Sequence, residues 1–179
     1  MEALATYTKQ NQTLEIIYDE CAISPREWDN LGTIITMNQR NYKLGEIQTD
    51  NIDEKLKEYD IGLILPLYFL DHSGVSLSTQ DFNDKWDSGQ IGYVFVTKEK
   101  LKEEYSVKRI SKKTLEKAKN VLESEIKTYS QYVNGEVFGF KITEQKNNET
   151  ENIDACSGFY EIKDVFDHIG DKKEEWIEQ

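Results

Sequence analysis

Cysteine, histidine and proline are all scarce in this sequence, and each shortage excludes a class of protein. Two cysteines and two histidines among 179 residues are too few for zinc chemistry built on several Cys and His ligands. Cys21 and Cys156 form no CxxC pair and have no basic neighbours, so we expect reduced, inert thiols in a cytoplasmic chain. The only prolines are Pro25 and Pro66, and no Pro- or Gly-rich linker divides the chain.

Long apolar runs and phosphate-binding glycine loops are also missing. The longest apolar run, 61–70, is interrupted by Gly62 and Pro66 and is too short to cross a bilayer. The segment Met1-Glu2-Ala3-Leu4 has neither a basic flank nor an apolar core, so we expect no signal peptide and no membrane association. No glycines stand in a GxGxxG or GxxxxGK[ST] context.

Acidic and aromatic residues are what the chain has in abundance. It carries 22 Lys and Arg against 34 Asp and Glu, a net charge of −12, and 11% of its residues are aromatic. That many aromatics are not typical of a disordered acidic chain. The acidic balance disfavours a protein that coats nucleic acid. The length fits a single domain over 1–179, with a charged C-terminal tail at 171–179.

The hydrophobic pattern predicts a mixed fold. Alternating or β-branched segments predict strands at 13–18, 31–37, 61–70, 90–97, 136–143 and 153–159. Helical spacing predicts helices at 51–59, 98–105, 111–133 and 160–169, with Thr97 and Ser111 as caps of the second and third. This order is not the regular alternation of parallel α/β folds. We therefore predict an α+β fold, an antiparallel sheet of about five to seven strands with helices packed mainly on one face.

Two breaks in the pattern carry predictions of their own. Pro66 inside the strand 61–70 predicts a β-bulge, or a position whose N–H is not needed for pairing. The polar segment 145–152 is predicted as a hairpin loop, and the long stretch 71–89 as a functional loop or one that carries its own short strands.

The charge is unevenly distributed along the chain. Residues 1–60 carry −6, 61–97 carry −3, 98–135 carry +4 and 136–179 carry −7. The basic cluster comprises Lys108, Arg109, Lys112 and Lys113. It favours either a phosphate or nucleic-acid contact, or a solvated turn that pairs with neighbouring glutamates. The acidic C-terminal third either imitates a nucleic-acid backbone or serves solubility.

The stretch 71–89 contains the most enzyme-like residues. Asp71, His72 and Ser73 combine a carboxylate, an imidazole and a hydroxyl, which suggests general-base catalysis. A small cation-dependent hydrolase built around Asp71, His72 and Asp87 is a further alternative. The simpler interpretation is a turn at a strand end, since neighbouring side chains on a strand point to opposite faces.

The acidic part of that stretch has oxygen ligands for a weak cation site. These are Asp81, Asn83, Asp84 and Asp87, but Lys85 and Trp86 break the EF-hand pattern. The alternative is an Asx-type turn with Trp86 packed over the core.

The three tryptophans are candidate anchors for a partner. Trp is enriched at binding hot spots, and Trp28, Trp86 and Trp176 all lie outside the predicted elements. Packing against the core is the default expectation for the first two, and Trp176 falls in the predicted tail.

Several stretches of this chain resemble one family. They are 28–33 (WDNLGT), 65–76 (LPLYFLDHSGVS), 86–100 (WDSGQIGYVFVTKEK), 107–113 (VKRISKK), 125–132 (EIKTYSQY) and 137–140 (VFGF). They resemble a family of small acidic proteins carried by phages, prophages and integrative elements of Gram-positive and gut bacteria, over about residues 14–160. The resemblance implies an accessory protein of a mobile genetic element, with relatives among the anti-CRISPR inhibitors of Cas9-type nucleases. The family has no established catalytic residues to carry over.

The sequence therefore predicts a non-enzymatic inhibitor that binds a host defence nuclease by acidic-surface docking. Cas9-type nucleases hold their nucleic acids in positively charged channels, where an acidic face can dock. We expect no metal and no cofactor, and a homodimer is left open. The alternative is a nucleic-acid-binding protein that uses the basic cluster. The predicted partner-binding residues are Asp81, Asp84, Trp86, Asp87, Glu149, Glu151 and Asp154.

Overall fold

Two five-stranded, mainly antiparallel sheets and four α-helices make up the described part of the computed structural model, which covers residues 3–38, 42–147 and 149–179. The strands are β1 (Ala5–Lys9), β2 (Gln12–Tyr18), β3 (Thr33–Met37), β4 (Ile47–Thr49), β5 (Ile61–Asp71), β6 (Val75–Ser78), β7 (Ser88–Thr97), β8 (Phe138–Lys146), β9 (Glu149–Phe159) and β10 (Ile177–Glu178). The helices are α1 (Ile52–Leu56), α2 (Lys98–Glu104), α3 (Lys112–Val133) and α4 (Ile162–Ile169). The predicted α+β fold is confirmed, with its strands divided between two sheets.

The chain forms two compact units. Unit 1 comprises Met1–Ile23 and Gly135–Gln179, and unit 2 comprises Ser24–Asn134. Each unit contains one sheet and one hydrophobic core. The expectation that 1–179 behaves as a single domain stays a prediction.

Unit 1 is a sheet with the strand order β10-β1-β2-β8-β9. Alternation along β2 buries Leu14 and Ile16, which stand opposite Ile142 and Phe140 of β8 and so share one face of the sheet. Helix α4 packs against this face through Val165 and Phe166. Its amphipathic pattern therefore closes a two-layer core.

Unit 2 is a sheet with the order β4-β3-β7-β5-β6, in which β4 is parallel to β3 and the other pairs are antiparallel. Helix α3 covers one face with Ala118, Leu122, Ile126 and Tyr129, all buried. These positions follow steps of three and four, so they form one stripe along the helix. On the opposite face Tyr59, just after α1, packs its ring 4.9 Å from that of Phe95.

The predicted caps and the proline are confirmed in detail. The hydroxyls of Thr97 and Ser111 accept the N–H groups of Lys100 and Thr114 at the starts of α2 and α3. Pro66 lies opposite Tyr93 of β7, and the pairing of β5 with β6 on its other side begins only at Tyr68. A bulge lies between Leu67 and Tyr68. The missing N–H of Pro66 is therefore tolerated.

Two polar segments are more ordered than their sequence indicates. The predicted loop 145–152 is mostly strand, because β8 extends to Lys146 and β9 begins at Glu149. The predicted tail 171–179 contains a 3₁₀ turn (Lys173–Glu175) and β10, which pairs with β1. Trp176 is buried there and donates its indole N–H to Asp171 at 3.1 Å.

A buried ionic cluster joins the loop before β3 to helix α3. Glu125 of α3 accepts the N–H groups of Leu31 at 2.6 Å and Gly32 at 3.0 Å. Arg26 places its guanidinium 3.6 Å from Glu125 and donates to Glu46 at 2.6 Å, and both Arg26 and Glu125 are largely buried. The backbone of this loop has its donors satisfied by side chains where no strand is present to accept them.

We expect Glu125→Ala to lower the free energy of unfolding by about 2–4 kcal/mol, because it leaves the N–H groups of Leu31 and Gly32 without their acceptor and removes one of the two carboxylates beside the buried guanidinium of Arg26. Chemical denaturation followed by circular dichroism measures the change. Glu123→Ala is the matched control, since Glu123 forms a partly exposed pair with Lys119 on the same helix and its loss should cost at most about 1 kcal/mol. Equal losses in the two variants would contradict the role of Glu125.

Candidate partner-binding surfaces

The hairpin formed by β8 and β9 is the main acidic feature of unit 1. Strand β9 is the outermost strand of its sheet, and residues 149–155 are all exposed. Glu149 stands opposite Lys146, and Glu151 stands opposite Glu144. Three of the predicted partner-binding residues, Glu149, Glu151 and Asp154, therefore lie on one exposed strand.

Charge within the hairpin is only partly neutralised. Glu144 and Lys146 form an ion pair at 2.6 Å, and this hydrogen bond lowers the pKa of Glu144 and raises the pKa of Lys146. Asp154 accepts the N–H of Ala155 at 2.8 Å. No ion pair involves Glu149, Glu151 or Asp154 within residues 3–38, 42–147 and 149–179, so their carboxylates face solvent as net negative charge.

Most of the protein's charge belongs to the unit that carries this hairpin. Unit 1 contains 6 basic and 16 acidic residues, a net charge of −10, whereas unit 2 contains 16 and 18, a net charge of −2. Segments far apart in the chain contribute, because β1, β2, β8 and β9 lie side by side. Unit 1 is thus the acidic part of the molecule.

The loop between β6 and β7 is held in shape by its own aspartates. Asp81 accepts the N–H of Asn83 at 2.9 Å, and Asp84 accepts those of Trp86 at 2.8 Å and Asp87 at 3.0 Å. These two backbone donors, Asp87 first and then Trp86, lower the pKa of Asp84. They are Asx-type turns, as the simpler interpretation of the sequence expects.

Trp86 projects from this loop into solvent. It is 93% exposed, so the expectation that it packs over the core is wrong. Trp28 is also exposed, at 54%, whereas Trp176 is buried.

His72 and Asp87 come together although they are 15 residues apart. The Nδ1 atom of His72 lies 2.8 Å from Oδ2 of Asp87, and both side chains are exposed. Tyr42 donates its hydroxyl to Asp71 at 3.0 Å. In the described part of the chain the His72 ring has Asp87 as its hydrogen-bond partner, and no Ser, Thr or Cys side chain bonds to it. The arrangement is that of a surface ion pair that ties two loops together.

No group of three or more His, Cys, Asp or Glu side chains could hold a metal ion among the residues described. The oxygens of Asp81 and Asp84 accept backbone N–H groups of their own loop. Cys21 and Cys156 are free thiols and line one groove of unit 1, with a volume of about 370 Å³. The two cysteines lie far apart in the sequence, so their spacing does not predict that they line the same groove.

The basic cluster is divided by the start of α3. Lys108 and Arg109 lie before the helix and line an open groove of about 470 Å³, while Lys112 and Lys113 occupy the first turn of the helix. The other residues of the groove include Lys98 and Lys102 of α2. Sequence reasoning missed these two lysines, although their i, i+4 spacing places them on one helix face. Lys98 is paired with Asp60 at 2.5 Å.

Comparison with protein-family models, with curated proteins and with solved structures finds no match to this chain. The resemblance to a family of mobile-element proteins therefore stays a prediction. Within the residues described, no helix is both long and apolar enough to span a membrane.

We expect the pKa of His72 to lie above its ordinary value of 6.5. The protonated ring donates a hydrogen bond from Nδ1 to Asp87, and the carboxylate also attracts the positive charge of the imidazolium. The ion pair is complete below that ordinary value and is lost as the pH rises through the folded-state pKa. NMR titration of the ring signals should show the pKa falling in Asp87→Asn and unchanged in Asp53→Asn. An unaltered pKa in Asp87→Asn would show that Asp87 is not the cause.

Proposed function

We propose that this protein is a non-catalytic inhibitor that binds a host defence nuclease through an acidic surface, with a Cas9-type nuclease as the first candidate. The observation that carries the proposal is the net charge of −10 in unit 1, displayed in part on the exposed carboxylates of β9. Such nucleases bind nucleic acid in positively charged channels. A carboxylate-bearing strand competes for the same cations.

Electrostatics gives this mode of binding its speed and its selectivity. Complementary charge accelerates association and disfavours partners of like sign. Carboxylates such as Glu149 and Glu151 have no intramolecular ion pair to break among the described residues, so little is lost when a partner's Lys or Arg approaches. Glu149 and Glu151 are therefore available to a partner without the loss of an internal ion pair.

The loop with Trp86 supports a second, apolar contact. Trp86 is 93% exposed on a loop whose backbone is held by two Asx-type turns, so its burial would cost side-chain freedom but little backbone freedom. Trp side chains dominate many binding hot spots. We assign Trp86 to affinity and the flanking Asp81, Asp84 and Asp87 chiefly to holding the loop.

The second candidate function is nucleic-acid binding, which the groove lined by Lys98, Lys102, Lys108 and Arg109 favours. Phosphate contacts require such clustered cations. The pairing of Lys98 with Asp60 and the net charge of −12 both oppose it. A gel shift at low salt with single- and double-stranded DNA separates the two functions, because only the second candidate function requires a shifted band.

We expect pull-down and DNA-cleavage assays across a panel of Cas9-type and restriction nucleases to identify at least one that binds and is inhibited. Glu149→Gln/Glu151→Gln/Asp154→Asn should weaken that binding roughly tenfold at low salt, since each exposed charge pair contributes about 0.2–1 kcal/mol. The matched control is Glu99→Gln/Glu103→Gln/Glu104→Gln, which removes three exposed charges from α2. The control should bind like the unaltered protein.

Two outcomes would count against this proposal. Full cleavage with no binding across the panel would refute inhibition of nucleases. Equal weakening of the two triple variants would show that total charge, and not the β9 hairpin, governs binding.

For the same complex we expect Trp86→Ala to raise the dissociation rate about fivefold or more, because a buried Trp anchor acts mainly on dissociation. Surface plasmon resonance measures the rate. The salt dependence of association should stay as in the unaltered protein, since no charge changes. An unchanged dissociation rate would remove Trp86 from the interface.

A further inference from the structure

Strand β9 is the longest sheet edge left uncovered in the part of the chain that the structure describes. It has 11 residues and pairs only with β8. The other edge strands are short: β10 has two residues, β4 three and β6 four. The edge of β6 is also partly capped, because Leu77 donates its N–H to the hydroxyl of Ser130 on α3.

An uncovered edge presents a row of backbone donors and acceptors. In an antiparallel ladder, alternate residues of the outer strand direct their N–H and C=O groups away from the neighbouring strand. The N–H of Ala155 is one of these, because Ala155 stands opposite Lys141, which directs its backbone groups toward β2 as Gln145 does when it donates to Asn11. That N–H is bonded to the carboxylate of Asp154. A bulge at Ile153 interrupts this row, so the regular stretches on either side of it are the templates for one further strand.

The side chains of β9 select against a second copy of this protein. The strand contains Glu149, Glu151 and Asp154, and no Lys, Arg or Pro. Two such strands side by side would place carboxylates opposite carboxylates, which is destabilising. The same carboxylates attract a strand that carries Lys or Arg at alternate positions, while the half-exposed Ile153 offers an apolar contact.

We propose that β9 binds an extended, Lys- or Arg-bearing segment of the partner protein by adding it as a sixth strand to the sheet of unit 1. This inference rests on the proposed function and specifies how the basic partner is held. Backbone pairing supplies affinity, and the carboxylates supply the choice of a basic sequence. Docking frees Asp154 from the N–H of Ala155, so that both become available to the incoming strand.

The test uses the full chain and a defined probe, a blocked peptide of six Lys-Thr repeats. Calorimetry at low salt should show binding with one peptide per protein. A second peptide, N-methylated at every residue, keeps the charge but has no amide proton on either edge, and it should bind about tenfold more weakly or worse. Amide NMR shifts on binding should fall on residues 149–157.

Variants of Ala155 test the contribution of a backbone N–H of the protein, as the N-methylated peptide tests those of the probe. Ala155→Pro removes an N–H that β8 does not use and should weaken the peptide about fivefold, whereas Ala155→Val keeps the N–H and should bind normally. If Ala155→Pro does not fold, the N-methylated peptide decides the question on the unaltered protein.

Several results would overturn the inference. These are no binding of the unmodified peptide, equal binding of the N-methylated one, shifts confined to other acidic segments, or a dimer that Ala155→Pro dissolves. Nuclease inhibition that survives Ala155→Pro would reject the strand-addition mode and leave the proposed function standing. Peptide binding without inhibition of any nuclease would support strand addition and reject the proposed function.

Discussion

The carboxylate of Glu125 is the constraint on which the packing of unit 2 depends. The chain before β3 runs close under α3, so close that a Cβ on Gly32 would lie 2.5 Å from Leu122 and 2.7 Å from Val94. No strand can reach the N–H groups buried there, and a helix side chain has to accept them. Arg26 compensates the resulting buried charge, so the ionic cluster and the apolar contacts of α3 stabilise one another.

Sheet pairing explains why the charge is distributed as it is. Summed along the sequence, the acidic residues are spread over both ends of the chain. Strands β1 and β2 pair with each other, and β2 pairs with β8, so the first 23 residues join the last 45 in one unit with a net charge of −10. Antiparallel pairing therefore concentrates charge that the sequence keeps more than 100 residues apart. That concentration is a property of topology and not of any single segment.

The spacing of apolar residues predicts those helices and strands that bury one face and expose the other. Helix α3, with its apolar stripe and Ser111 cap, and strand β7, with its alternation of Val and aromatics, are recognisable because one face of each is buried. The same reasoning fails for β1, β4 and β10, which are short and derive their order from a neighbouring strand. It fails at the tip of the β8–β9 hairpin for a related reason. Residues exposed on both faces carry no pattern that could separate a strand from a loop.

The candidate site follows the same division. Turn-forming aspartates are recognisable in sequence, because Asp81 and Asp84 bond to backbone two residues ahead. The exposure of Trp86 and the burial of Trp176 cannot be recognised in the sequence, because each depends on whether a distant segment covers the ring. Trp176 is covered in part by Lys9, whose Nζ lies 5.7 Å from the ring centroid after a separation of 167 residues. Contacts of that range have no signature in local composition.

Under the proposed strand addition, acidity on the β9 edge serves both solubility and binding. A long uncovered strand would pair with copies of itself unless something opposed it, and natural edges often use Lys for that purpose. Carboxylates oppose self-pairing equally well, because neighbouring strands lie about 4.8 Å apart, well within the Debye length of roughly 8 Å at physiological salt. They differ from Lys in the partner they admit. Under the proposed strand addition, an acidic edge attracts a basic strand and repels a second copy of itself, so the sign of its charge selects the partner that completes the sheet.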